Sequence, residues 1–198
     1  MQMKTNREME RYPMILVFAG PNGSGKTTIT ENIDVVGEYT NADELAKYSG
    51  MSDREAAIEV DRRRYDAISH KKDFTFETVL SSEYKLNLLK KAKSEGYFIK
   101  CFFILTISPD INIMRVRARI AQGGHGVDEE KIISRYYSSL GNISELIDIC
   151  DILHVYDNTG LKPFRIIRKH KDDITIFPNE YWKEKEIIGL IVGEIHDN

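Results

Sequence analysis

Gly20, Gly25, Lys26 and Thr27 meet the spacing G-x-x-x-x-G-K-[ST] within the segment Gly20-Pro-Asn-Gly-Ser-Gly-Lys-Thr-Thr28. Each residue type has a task in holding a nucleoside triphosphate. Glycines allow backbone conformations in which successive N–H groups turn toward phosphate oxygens. A helix opening behind the loop adds the positive end of its dipole. Lys26 is expected to reach the β- and γ-phosphates, and the Thr27 hydroxyl to ligate Mg²⁺. Gly20, Asn22, Gly23, Ser24, Gly25, Lys26, Thr27 and Thr28 therefore form the expected phosphate cradle. Its context is the required one, with the apolar run Met-Ile-Leu-Val-Phe-Ala at 14–19 before it and a helical pattern after it.

A triphosphate cradle does not state what is done with the triphosphate. An ABC-type ATPase has a similar first segment, but this chain is short for one and lacks a Leu-Ser-Gly-Gly-Gln signature. A regulatory GTPase is disfavoured by the lack of an Asn-Lys-x-Asp motif. A phosphotransferase needs an acid or base at the acceptor hydroxyl, an acceptor pocket and a mobile lid carrying arginine. Asp43, in Asn41-Ala42-Asp43 after a short strand, is the candidate base; the alternative is that it caps the helix that follows. Glu77 and Thr78, at the end of another strand, are candidates for the acceptor site, or an ordinary strand-end pair. Arg115, Arg117 and Arg119 precede Gly123-Gly124-His125, and Arg135 lies on the next helix. Arg115 and Arg119 are one turn apart and share a face. They read as a lid or as a solvated face, and their place between the fourth and the last core strand favours the lid. His125 is a candidate phosphate or substrate contact, or a lid residue that packs. Asn158, following the last core strand, is a candidate nucleotide contact, or part of a turn.

The elements that must position these groups alternate between strand and helix. Strands are expected at 14–19, 38–41, 74–80, 97–107 and 152–156. Helices are expected at 27–33, from Ser52 (with Glu55 as its capping-box partner) to about 72, at 83–94, from Pro109 to about 121, and from Asp128 to about 149. The pattern implies an α/β fold, a mainly parallel sheet of about five strands flanked by helices. The chain at 1–198 reads as one domain, with a lid at about 115–135 and a C-terminal extension at about 160–198. That extension holds two short strand-like pieces, 164–167 and 174–177, and Trp182 as an anchor for the tail. Arg62-Arg63-Arg64 reads as a solvated helix face.

Composition narrows the partners. At 198 residues the chain can bury a sizeable core, and its formal net charge is −3. There is no bulk electrostatic footprint for nucleic acid or an anionic membrane, so neither is an expected partner. The segment 1–11 lacks the apolar core of a signal peptide, and no apolar run approaches the ~20 residues of a membrane span. The expected location is cytoplasmic. Cys101 lies in an apolar run and reads as a buried thiol.

Several blocks together resemble the zeta toxin family of P-loop kinases, in particular its ABC-ATPase-like branch. They are Gly20 to Thr28, Asn41-Ala-Asp43, Phe76-Glu-Thr-Val-Leu-Ser81, Asn112-Ile-Met-Arg-Val-Arg-Ala-Arg119, Gly123-Gly-His-Gly-Val127, Arg135-Tyr136 and Tyr156-Asp-Asn158. They cover roughly residues 13–160. The resemblance implies ATP and Mg²⁺, Asp43 as base, Glu77 and Thr78 at the substrate, and Arg119 and Arg135 on the lid. In the best-known members the acceptor is UDP-N-acetylglucosamine and an antitoxin blocks the ATP site. This chain is shorter and its lid reads Gly-Gly-His. A kinase acting on a small metabolite is thus the favoured reading, as a toxin-antitoxin effector where the resemblance extends that far. An ATP-binding switch that regulates a protein partner is the alternative, and such a switch needs no acceptor base.

Overall fold

The computed structural model describes residues 11–31, 33–124 and 126–194; His125 therefore lies outside the described residues. Seven strands form one sheet: β1 Met14–Ala19, β2 Glu38–Thr40, β3 Phe74–Thr78, β4 Phe98–Leu105, β5 Ile152–Asp157, β6 Phe164–His170 and β7 Asp173–Ile176. Their order is β2-β3-β1-β4-β5-β6-β7. The first five in that order run parallel, and β6 and β7 pair antiparallel. Strands covered on both faces read as continuous apolar runs, and Ile15 to Ala19 are all at most 2% exposed.

The sheet has seven strands, not the expected five. Residues 164–192 do not trail from the core but join it. Trp182, Ile187 and Leu190 belong to the same apolar cluster as Ile15, Phe76 and Leu153. A register shift between Val155 and Tyr156 buries both Ile166 and Ile167. A bulge of this kind breaks the alternation by which a strand is read, so β6 reads shorter from sequence than it is.

The helices are α1 Lys26–Thr30, α2 Ala42–Ser49, α3 Asp53–Ser69, α4 Glu83–Ser94, α5 Pro109–Ala121, α6 Glu129–Gly141, α7 Ile143–Ile149 and α8 Glu184–Val192. The capping box of Ser52 and Glu55 forms at α3, and Pro109 opens α5. The helix expected at 27–33 is only five residues long. Thr27, Thr28, Ile29 and Thr30 are consecutive β-branched residues, which restrict side-chain rotamers in a helix. The single helix expected up to 149 is two, broken at Asn142, whose side-chain amide donates to the Leu80 carbonyl at 2.8 Å. Cys101 and Cys150 are both buried and free. No described helix is long and apolar enough to cross a membrane.

The two faces of the sheet are covered unequally. The main cluster lies on one face. On the other, Leu16, Phe18, Phe102 and Ile104 pack with Ile29, Ile33, Val36, Tyr39 and Tyr156. Here the half-buried His154 ring lies 5.2 Å from Phe102. Burial, then the charges of Arg165, Lys100 and Arg168, push its pKa down to about 4. The unfolded chain therefore binds a proton at higher pH than the folded one does. The neutral ring's stability is fully present above pH 6.5 and is lost as pH falls toward 4. The full shift corresponds to about 3 kcal/mol, of which solvent screening leaves roughly 1–2 kcal/mol. Urea unfolding of wild type and His154→Gln at pH 7 and pH 4.5 should show the wild type losing that much more stability on acidification. Parallel losses would contradict the assignment.

Candidate active site

The first βα loop lies where the strand order reverses. From β1, β3 is the neighbour on one side and β4 on the other, the position at which open α/β sheets bind ligands. Gly20, Gly23 and Gly25 all have positive φ (138°, 78° and 83°). A Cβ on Gly20 would lie 2.0 Å from the Ile104 carbonyl oxygen. Neither backbone can swing aside, so Gly20→Ala should force β1 and β4 apart. The expected loss is about 1–3 kcal/mol by thermal or urea unfolding, as for other overpacked cores, and an unchanged midpoint would show that the loop gives way freely.

Lys26 is buried, and its ammonium donates to the carbonyls of Gly20 (2.9 Å) and Pro21 (3.3 Å). It lies 3.6 Å from Glu77 Oε1. Burial pushes its pKa down, the charges of Glu77 and Asp43 hold it up, and Arg119 pushes it down further. Lys26 and Glu77 thus meet at one edge of the sheet, within the field of the Asp43 and Arg119 charges. The Ser24 hydroxyl is buried within the loop with no hydrogen-bond partner among the described residues. Left-handed glycines, a buried cation and an orphaned hydroxyl fit an anionic phosphate chain. Thr27 and Thr28 are exposed at its mouth.

Asp43 does not cap α2. Asn41 does, its Oδ1 accepting from the backbone N–H groups of Asp43 (3.0 Å) and Glu44 (3.5 Å). The Asp43 carboxylate is therefore not spent on the helix terminus. Glu77 is held by a residue that the sequence did not single out: the Tyr39 hydroxyl donates to its Oε2 at 3.4 Å and accepts from Asn41 Nδ2 at 3.3 Å. Burial leads the causes that raise the Tyr39 pKa to about 12, so it remains a donor at neutral pH. Glu44 is the other neighbour that sequence reading missed; its pKa is raised, first by burial and then by Glu77. The Thr78 hydroxyl accepts from Leu80 N at 3.0 Å, which leaves its O–H to donate. Leu80 is left-handed (φ 55°), a costly conformation for a branched residue. Ser139 and Asn142 hold that turn through the carbonyls of Val79 and Leu80.

The arginines divide. Arg115 clamps the loop, donating to the carbonyls of Asn158 (2.7 Å), Thr159 (3.4 Å) and Ser24 (3.4 Å). Asn158 completes the clamp through Nδ2 to the Ser24 carbonyl at 2.8 Å. Arg135 reaches Asn22 Oδ1 at 3.4 Å, which ties α6 to the loop. Arg117 is turned away and pairs with Glu129 at 2.6 Å. The Arg62-Arg63-Arg64 reading needs a correction. Arg62 and Arg63 pair with Glu59 at the surface, but Arg64 is 2% exposed. Its guanidinium donates to Thr40 Oγ1 (2.9 Å), the Thr40 carbonyl (3.0 Å) and Asp61 (3.0 Å), and lies 4.5 Å over the Phe76 ring. It thereby fixes the end of β2, directly before Asn41 and Asp43. In sequence it is one of three adjacent arginines, and only helical phase relative to the sheet separates it from the other two.

No family model matches the sequence. Among solved structures, a chain of the AvrRxo1-ORF1:-ORF2 complex with ATP is similar, with TM-score 0.65 and 14% identity over 96% of this chain. This chain spans 66% of that chain's length. A chain from the PezAT chromosomal toxin-antitoxin system of Streptococcus pneumoniae gives TM-score 0.52 and 18% identity, over 78% of this chain and 71% of that one. At such identities the likeness is one of fold, a mixed, mostly parallel sheet flanked by helices. In sequence, an uncharacterized protein of Haemophilus influenzae is 30% identical over 127 residues, which are 61% of this chain and 91% of that protein. At that identity, over nine-tenths of the relative's length, the chain belongs to the family of that Haemophilus influenzae protein.

Proposed function

We propose that this chain is an ATP-dependent phosphotransferase that moves the γ-phosphate to a hydroxyl of a small metabolite. The observation that carries the reading is the meeting of Lys26, in its glycine cradle, with Glu77 and the charge of Asp43 at one sheet edge. Residues 20–28 hold the triphosphate, with Arg115 and Asn158 closing the loop from behind. Lys26 leaves the carbonyls of Gly20 and Pro21 for the β- and γ-phosphates. Asp43 accepts the proton of the acceptor hydroxyl. The acceptor oxygen bonds to the γ-phosphorus as the bond to the β–γ bridging oxygen breaks, and ADP leaves. Glu77, oriented by Tyr39, and Thr78 hold the acceptor. Arg119 and Arg135, on a lid at about 115–135, offset charge on the transferred group. Thr27 would hold Mg²⁺, which when bound spreads the charge of the phosphate oxygens.

The chain as a whole, 1–198, works in this reading as one kinase-like domain. UDP-N-acetylglucosamine is the first acceptor to test, and an antitoxin protein the first partner, because proteins of this fold include members of toxin-antitoxin systems. The test incubates γ-labelled ATP and Mg²⁺ with UDP-N-acetylglucosamine and with a metabolite extract. Label should reach a small molecule with the wild type and not with Lys26→Ala. Transfer to no small molecule, by protein that binds ATP, would sink the proposal and favour a nucleotide-dependent switch.

A further inference from the structure

Many surface cations of this protein stand beside a carboxylate. Lys71 meets Glu95, Lys90 meets Glu145, Arg62 and Arg63 meet Glu59, and Arg117 meets Glu129. Lys100, Arg165 and Arg168 have no carboxylate within salt-bridge distance among the described residues, and these three share one sheet face. The register places them. Phe102, His154 and Arg168 form one row across β4, β5 and β6, and Tyr156 stands opposite Arg165 in the next. Lys100 precedes Phe102 on the same face of β4, its ammonium 5.0 Å from the Phe102 ring. Phe102 and Tyr156 stack at 6.5 Å, with His154 6.4 Å from Tyr156. The result is a strip of rings about 10 Å wide, with one cation on its β4 side and two on its β6 side. The register puts two carboxylates on this face, Asp173 on β7 opposite His170 and Glu77 on β3, two strands from Phe102. On β4, β5 and β6 themselves the charged residues of this face are the cations Lys100, Arg165 and Arg168. His154 stays neutral at pH 7 and adds a ring rather than a charge.

We propose that this face binds single-stranded nucleic acid, with bases on the Tyr156 and His154 rings and phosphates on Lys100, Arg165 and Arg168. Flat rings between flanking cations suit a single strand, whose bases are free to stack while its backbone meets the charges. A duplex hides its bases, and an acidic helix does not need the rings. The proposal does not rest on phosphoryl transfer, because its residues stand on β4 to β6, whereas Glu77, on the same sheet face, is two strands from Phe102.

The test is fluorescence anisotropy without ATP, on a labelled mixed-sequence oligonucleotide of about a dozen nucleotides. The full chain should bind with log K falling against log salt at a slope of about −2, as three neutralised phosphates on a single strand predict. Arg165→Gln with Arg168→Gln should bring the slope to about −1 or shallower. Tyr156→Ala should weaken binding roughly 5- to 100-fold, and Tyr156→Phe should retain it. Circular dichroism melts establish that each variant is folded, and Arg168→Gln, at an exposed position, is the variant least able to disturb the core. RNA and DNA versions of the probe both belong in the assay, and binding of either supports the proposal. Equal binding of polyglutamate, equal binding of duplex, or a salt slope unchanged in the double variant overturns it.

Discussion

Asp43→Ala is expected to lower the rate of phosphoryl transfer by roughly 10²–10⁴-fold, the range for loss of a general base, with ATP affinity nearly unchanged. The split follows from the geometry. The cradle is built by residues 20–28 and closed by Arg115 and Asn158, and Asp43 acts on it through its charge on Lys26. Helix α2 is capped by Asn41, so removing the Asp43 carboxylate costs the helix little beyond a favourable charge in its first turn. Asp43→Asn keeps the shape and should be as slow, because an amide cannot take the proton. The measurement is single-turnover transfer from γ-labelled ATP beside equilibrium binding of a fluorescent ATP analogue. Transfer at the wild-type rate by either variant would remove Asp43 from the mechanism. Weakened ATP binding with unchanged transfer would assign it to the nucleotide instead.

Arg64→Ala should destabilise the fold by about 3–5 kcal/mol, from two buried acceptors losing their donor and a large buried side chain leaving a cavity. At this chain length that is a fall in Tm of roughly 6–20 °C. Asp61 keeps Lys85 as a partner, so it is not left as a lone buried charge. The cost falls on the hydroxyl and carbonyl of Thr40, which lose their donors, and on the space opened beside Phe76. Arg64→Met refills that space and should recover part of the loss, while Arg62→Ala at the surface should stay within about 0.5 kcal/mol. Urea unfolding of the three variants checks the order. A loss below about 1 kcal/mol for Arg64→Ala would mean that β2 is held by other contacts. Because Thr40 precedes Asn41 and Asp43, a folded Arg64 variant should also transfer phosphate more slowly.

The sequence by itself determined the cradle, the strand before it and the alternation of strand and helix. These are local properties. A left-handed glycine, an apolar run of six residues and a capping box each depend on neighbours a few positions away, and Ser52 with Glu55 and Pro109 stand where their types require. The sequence also placed Asp43 just after β2 and Glu77 near the end of β3, because the strand patterns that precede them are local. What failed locally had local causes that sequence periodicity does not carry: the bulge at Ile166, the β-branched run that stops α1, and the break at Asn142. The tertiary structure alone decided the rest. It chose Arg64 from three adjacent arginines and buried it under β2, and brought Tyr39 to Glu77. It made Arg115 a clamp on the loop rather than a free lid residue, and built residues 164–192 into the sheet as its sixth and seventh strands and an eighth helix. It also collected Lys100, Arg165 and Arg168 on one sheet face of a protein whose net charge is −3. Net charge is a sum over the chain, and a binding surface is set by which charges share a face. Sheet order and register alone bring residue 100 beside residue 168.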